Sequence, residues 1–112
     1  PSIDSEQYRS YLKEVIAAFL RYDFDGILLD EPHFPHASPG DYFPYDLASR
    51  EKFKAIFGHE MPETENDEVV KFRQVTMADF LKSLFDFIKG MRPDIITILV
   101  VLPDFGGQDQ IG

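Results

Sequence analysis

The chain has 112 residues, of which 44% are hydrophobic and none is cysteine, and it carries a formal net charge of −9. Because a surface this acidic repels nucleic-acid phosphates and anionic lipids, we expect neither nucleic acid nor a membrane surface among its partners. The absence of cysteine excludes disulfides, thiolate catalysis and cysteine-based zinc sites. No apolar run approaches the roughly 18 residues that span a bilayer, and no signal peptide is visible, so the cytoplasm is the default expectation for localisation.

Helical periodicity begins close to the amino terminus. Apolar side chains recur there at helical spacing, which predicts a helix over about residues 5–22 with Asp4 as its cap. Residues 24–30 are nearly continuous in apolar character. This pattern predicts a strand of a parallel sheet that is buried on both faces.

The central part of the chain is predicted to hold a long loop and two helices. Four prolines exclude a regular element from residues 31–46, and loops of this length are often functional. A second helix is predicted between an Asp46 cap and a Gly58 stop, and a third helix over about residues 65–91. Residues 95–102 are all apolar or β-branched and predict a second buried strand.

These elements give an α/β fold class with two parallel strands and three helices. A two-stranded sheet is not stable by itself, and two strands buried on both faces would each leave an unpaired apolar edge. We therefore expect residues 1–112 to be one segment of a larger parallel α/β domain, either as a fragment or as a chain that completes its sheet with another copy. The alternative is a small self-sufficient α/β domain with a further strand that the pattern does not reveal.

Two carboxylates, Asp30 and Glu31, follow the first predicted strand directly. Because side chains alternate along a strand, Asp30 shares a face with Leu28 and Gly26, and Glu31 lies on the other face. Active sites of (β/α)8 barrels are built at the carboxyl ends of the strands, which predicts that Asp30 points into the mouth of such a barrel. Glycoside hydrolysis uses a pair of carboxylates, and Asp104, just after the second strand, is the candidate partner within this chain.

Three stretches of the chain resemble several glycoside-hydrolase-like families with (β/α)8, or TIM, barrels. FDGILLDEP (24–32) resembles their fourth-strand signature, D-G-[ILV]-x-L-D-[DE]. REKFKAIFGHEMP (50–62) resembles the helix and Gly-x-x-x-Pro turn that follow in a subset of them, and VVKFRQVTMADFLKSLFDFIKGMRPDI (69–95) resembles their next helix and its run into strand five. The resemblance covers about residues 5–105 and implies a partial barrel around strands four and five. It also implies that Asp30 is a catalytic or sugar-binding carboxylate.

Two departures from these families limit what the resemblance implies. Many members carry a cysteine cluster before the Arg-Glu-Lys-Phe stretch, whereas residues 42–45 of this chain are YFPY, so a metal cluster is not implied. The chitinase-type motif D-G-x-D-x-D-x-E is not met either, because Leu28 and Pro32 stand at the positions of its second Asp and its Glu. A chitinase mechanism is therefore not carried over.

The resulting expectation is hydrolysis of glycosidic bonds by carboxylate acid/base catalysis in the complete protein, with no cofactor and no metal. We expect the isolated chain to be inactive, because the partner carboxylate and most of the pocket lie elsewhere. Its partners would be a carbohydrate substrate and either the rest of the barrel or another copy of the chain. The expected catalytic residues are Asp30 and Glu31, and the expected substrate-binding residues are His33, His36, Tyr42 and Asp104.

Other interpretations of the same residues stay open. Asp30 could be a hydrogen-bond acceptor at a strand end, and Glu31 could form an ion pair with Arg50. His33 and His36 form an H-x-x-H beside two carboxylates, as in a metal-dependent hydrolase, although a proline-rich loop lacks a helix to arrange them. The aromatic residues at 42, 43 and 45 are either platforms for sugar faces or the apolar underside of the loop. In a further alternative the chain is a noncatalytic oligomerising module.

Overall fold

The computed structural model describes residues 2–35 and 37–101. Its elements in chain order are helix α1 (Glu6–Phe19), strand β1 (Gly26–Asp30), helix α2 (Leu47–Phe57), helix α3 (Asp67–Met91) and strand β2 (Ile96–Val100). The predicted order of elements is confirmed, and the described part is a small mixed α/β fold. None of its helices combines the length and the hydrophobicity that crossing a membrane would require.

The two described strands are parallel and in continuous register. Gly26 lies opposite Ile96, and Asp30 lies opposite Val100. The strands approach so closely at Gly26 that a Cβ atom there would lie 2.9 Å from the carbonyl oxygen of Ile96. The ladder continues beyond β1, because the backbone N–H of Glu31 donates to the Val100 carbonyl at 2.9 Å. Within the described residues the sheet has these two strands.

Each helix begins at a side-chain cap. Ser5 caps α1, Asp46 caps α2 and Asn66 caps α3, each accepting a backbone N–H three residues on. The prediction of Asp4 as the first cap is therefore wrong, because its carboxylate is engaged by side chains of α2 and α3 instead. The Asp46 cap is confirmed, as is the stop at Gly58, which adopts the left-handed conformation (φ 81°) that favours glycine.

Two apolar clusters form the core, and α3 contributes to both. The first cluster joins α1, the carboxyl-terminal half of α3 and the approach to β2, with Ile27 and Leu29 of β1 packed against it. The second cluster joins α2, the amino-terminal half of α3 and the loop before α2. The buried members of the first are Ile16, Leu20, Phe80, Leu84, Ile88 and Ile95, and those of the second are Tyr42, Phe53, Met61, Val69 and Phe72.

The helices cover one face of the sheet and leave the other face uncovered by the described residues. Leu28 on the uncovered face is 50% exposed, and its neighbours Ile96 and Ile98 are exposed as well. Burial of one face is therefore observed within the described residues, and burial of the other face stays a prediction for a larger domain. The physical reason is that a strand sequence records how much apolar surface must be buried but not which residues bury it.

Candidate functional site

Asp30 ends β1 at the carboxyl edge of the sheet. By strand alternation its side chain shares a face with Leu28, which is the face that the helices leave uncovered. Asp30 is itself exposed. The structure thus places this carboxylate where an uncovered apolar surface ends, and its predicted position at the mouth of a barrel stays a prediction.

Glu31 follows in an unusual backbone conformation. Its φ of 47° lies in the left-handed region, which costs a residue other than glycine about 1–2 kcal/mol. The hydrogen bond from its backbone N–H to Val100 holds this conformation in place. Arg50, the cation that the sequence offered to Glu31 as a partner, lies over the Tyr45 ring with its Cζ atom 5.1 Å from the ring centroid.

A cavity of about 600 Å³, here called the loop pocket, lies beside the loop that follows β1. Its aromatic wall consists of Phe34, Phe43 and Tyr45, and polar groups enter it from His33 and Asp46. The pocket also receives residues from the amino-terminal segment and from α3; these are Ser2, Ile3 and Met77, with Pro35 and Pro44 completing the lining. The loop pocket brings together the predicted contact His33 and two of the three predicted aromatic platforms.

Tyr42 lies in the second apolar cluster and is not part of the loop pocket lining. Its hydroxyl donates a hydrogen bond to the carbonyl of Pro62. Burial is the main cause that raises the pKa of Tyr42 to about 12, and the nearby Tyr45 and Glu65 add to the effect. The side chain therefore supports the loop from beneath, which is the second of the two interpretations that the sequence left open for this ring.

The remaining predicted site residues, His36 and Asp104, lie outside the described residues. Their expected contacts with substrate stay predictions. Within residues 2–35 and 37–101, no group of three or more His, Asp or Glu side chains is arranged to hold a metal ion.

A buried polar cluster, here called the Asp4 cluster, was not anticipated from the sequence. The Asp4 side chain is 0% exposed, and its carboxylate accepts hydrogen bonds from Ser49 Oγ at 2.6 Å, from Lys52 Nζ at 3.1 Å and from Thr76. The one available signal was Thr76, a hydroxyl within the apolar stripe of α3. The cluster ties the amino-terminal segment to α2 and α3, and so fixes the two residues of that segment that line the loop pocket.

Two cations and a second carboxylate complete the Asp4 cluster at its solvent side. Arg9 Nη1 lies 3.1 Å from Asp79 Oδ2, and Lys52 Nζ lies 3.1 Å from the same oxygen. The hydrogen bond from Lys52 is the largest influence on Asp79 and lowers the pKa of its carboxyl, with Arg9 contributing in the same direction. The cluster is therefore a charged network with one buried and one exposed carboxylate.

His59 forms a further charged contact, between α2 and the start of α3. Its Nδ1 lies 2.9 Å from the Glu60 carbonyl oxygen, and its Nε2 lies 2.9 Å from Glu68 Oε1. Both neighbours are acceptors, so the imidazolium, with a proton on each nitrogen, is the form that satisfies both contacts. The Glu60 carbonyl first, and then the Glu68 carboxylate, raise the pKa of His59.

An apolar groove of about 420 Å³, here called the β1 groove, lies where α1 meets β1. Its lining is almost entirely aliphatic and aromatic, and it includes Phe19, Phe24 and Leu28, which are exposed. The groove adds to the uncovered face of the sheet, so the described residues leave a large apolar surface on this side.

No protein-family model, no curated protein and no solved structure matches this chain. Any function must therefore be argued from the position and chemistry of the residues themselves. The features that bear on it are the exposed Asp30, the loop pocket, the β1 groove and the uncovered face of the sheet.

Proposed function

We propose that the chain is the segment around strands four and five of a glycoside-hydrolase-like (β/α)8 barrel, and that Asp30 is a catalytic or sugar-binding carboxylate at the mouth of that barrel. The observation that carries the proposal is the uncovered apolar face of a two-stranded parallel sheet with Asp30 at its carboxyl end. In barrels of this type the helices lie outside the sheet, the opposite face is the filled interior, and active sites lie at the carboxyl ends of the strands.

The exposed apolar surface supports the larger domain. A sheet of two strands does not stand by itself, and Leu28, Ile96 and Ile98 leave a face that water covers poorly. The β1 groove extends this surface to the edge of β1 that no other described strand pairs with. A preceding strand and helix would pair with that edge and fill the groove, and a following strand would pair with β2. Both additions remove the edges that an isolated parallel pair exposes.

The carboxylates support glycoside hydrolysis as the chemistry. Asp30 lies on the interior side of the proposed barrel by strand alternation, whereas Glu31 lies beyond the end of β1 in a left-handed backbone conformation, to which that alternation does not apply. The partner carboxylate would therefore come from another strand, and its separation from Asp30 would decide between retention and inversion at the sugar carbon. The left-handed backbone of Glu31 adds support, because strained residues concentrate at functional sites.

Hydrolysis of a panel of nitrophenyl glycosides by the complete polypeptide that contains this segment tests the proposal. Asp30→Asn is expected to lower kcat by about 10²–10⁴-fold, the usual contribution of a positioned acid or base. Asp25→Asn is the matched control, since Asp25 precedes β1 at the opposite end of the strand, and it should leave kcat unchanged. Full activity of the Asp30→Asn protein would remove this carboxylate from the mechanism.

A second candidate function is a noncatalytic module that oligomerises through its sheet, and the β1 groove is the observation that favours it. In that case a second copy would cover the apolar surface that we assign to the rest of a barrel. Sedimentation of the 112-residue chain separates the two candidates when it is combined with the hydrolysis assay. A defined oligomer together with a complete polypeptide that hydrolyses no glycoside would favour the module.

A further inference from the structure

We infer that the loop pocket is a binding site for a neutral pyranose unit, whose apolar face stacks on Phe43 and whose hydroxyls are bound by His33. The cavity of about 600 Å³ has the size of small-molecule sites, which commonly enclose about 300–1,000 Å³. The loop that lines the pocket starts directly after Asp30. The choice of a sugar as the ligand rests on the proposed function, whereas the choice of a neutral ligand rests on the charges of the pocket.

The charges of the lining disfavour an anion. No lysine or arginine is among the described residues that line the loop pocket. Burial tends to raise the pKa of the Asp46 carboxyl, but hydrogen bonds from Ser2 and Ser49 outweigh it and leave the pKa lowered. Asp46 is therefore ionised at neutral pH. A phosphorylated ligand would meet a negative wall in a chain of net charge −9.

The same residues give a cation little to bind. The Asp46 carboxylate accepts a hydrogen bond from the backbone N–H of Ser49 at 3.1 Å, and its other oxygen lies 2.8 Å from the Ser49 hydroxyl, whose single proton it shares with Asp4. Both oxygens are therefore already in contact with the helix that Asp46 caps. Tyr45 already carries the Arg50 guanidinium over its ring. A second cation at this ring would be repelled by the first, which leaves the neutral ligands.

Two groups of the lining suit a hydroxylated ring. Phe43 is 42% exposed, so its ring offers an apolar surface to the C–H face of a sugar. The Nδ1 atom of His33 lies 2.9 Å from the carbonyl oxygen of Phe34, and since a carbonyl only accepts, Nδ1 is the protonated nitrogen. In the neutral imidazole Nε2 is then an acceptor for a ligand hydroxyl.

The Asp4 cluster holds the opposite wall in place. Ser2 and Ile3 line the loop pocket, and the next residue, Asp4, is anchored by α2 and α3. A wall fixed in this way before the ligand arrives reduces the ordering that binding would otherwise require.

Isotope-edited NMR titration of the 112-residue chain tests the inference. The probes are methyl glycosides of glucose, galactose, mannose and xylose, with glucose 6-phosphate and choline as charged comparisons. At least one neutral glycoside is expected to shift the amide signals of the loop pocket, and to bind more tightly than either charged probe. Tighter binding of a charged probe, shifts confined to other surfaces, or no binding by any glycoside would overturn the inference.

Variants assign the binding to the named residues. Phe43→Ala is expected to weaken binding of the glycoside by about threefold to tenfold, the usual value of one aromatic contact. Phe43→Leu retains apolar bulk without the ring and should also weaken it, while His33→Ala removes the acceptor. Ile56→Ala is the matched control, because Ile56 is an exposed apolar residue of α2 outside the lining. Unchanged binding in both Phe43 variants would contradict the stacking.

The outcomes for the loop pocket and for the proposed catalysis are separable. Asp30→Asn should leave glycoside binding by the chain intact, because the loop pocket does not include Asp30. Sugar binding without Asp30-dependent hydrolysis would refute the catalytic proposal alone. Asp30-dependent hydrolysis with KM unaffected by Phe43→Ala and His33→Ala would refute the loop pocket alone.

Discussion

Replacing Asp4 by alanine is expected to lower the free energy of unfolding by about 3–5 kcal/mol, because it removes one partner of a buried charged network. The Asp4 side chain is shielded from solvent, and its carboxylate accepts hydrogen bonds from Ser49, Lys52 and Thr76. In the variant these donors would lose their shared buried acceptor. Since small domains have about 5–15 kcal/mol of stability in total, this is a large share.

Urea denaturation followed by far-UV circular dichroism measures the change, with Asp79→Ala as the matched control. Asp79 contacts the same Lys52, but its side chain is 53% exposed, so its loss should cost no more than about 1 kcal/mol. Similar m-values for both variants would show that they unfold from equally compact states. Equal losses in the two variants would refute the reasoning, because burial would then not be the source of the difference.

Four further predictions each concern a single position. Gly58→Ala should destabilise the chain by about 1 kcal/mol, because residue 58 has a left-handed backbone. Gly90→Ala within α3 should instead stabilise the chain by about 0.5–1 kcal/mol. Thermal unfolding measures both changes, and a shift of the melting temperature in the same direction for both variants would contradict the reasoning. Gly26→Ala should cost about 1–3 kcal/mol because its Cβ atom would meet the neighbouring strand, and an unchanged urea midpoint would contradict the close approach. Because the pKa of His59 is raised in the folded state, protonated His59 stabilises the fold at pH values below its unfolded-state pKa of about 6.5. This stabilisation is lost as the pH rises through the pKa of the folded state. Urea midpoints measured between about pH 5 and 9 should therefore fall with rising pH in this range, and His59→Gln should remove that part of the pH dependence.

Local patterns in the sequence were enough to place the elements. The strand pattern predicted β1 and β2 and their parallel pairing, and the caps at Asp46 and Gly58 were predicted because they depend on residues within one turn of each other. Asp4 was assigned wrongly by the same reasoning. Its partners Ser49 and Thr76 are 45 and 72 positions away along the chain, and such contacts leave no trace in local spacing.

The candidate site was predictable to a similar extent. Strand alternation placed Asp30 correctly on its face, because it requires only the direction of one strand. The sequence did not distinguish the buried Tyr42 from the exposed Phe43, which are neighbours in one loop. An irregular segment has no periodicity from which burial could be predicted. Ile56 is an apolar residue of α2 and is nevertheless exposed, because α2 packs through a narrower face than its apolar residues indicate.

Helix α3 has a consequence for how the chain unfolds. Its 25 residues form a rod about 38 Å long, and its two halves contribute Phe72 to one apolar cluster and Leu84 to the other. Neither cluster can melt without releasing part of a helix on which its neighbour depends. The two ends of the molecule are thereby joined into one cooperative unit, and heating should give a single transition for both.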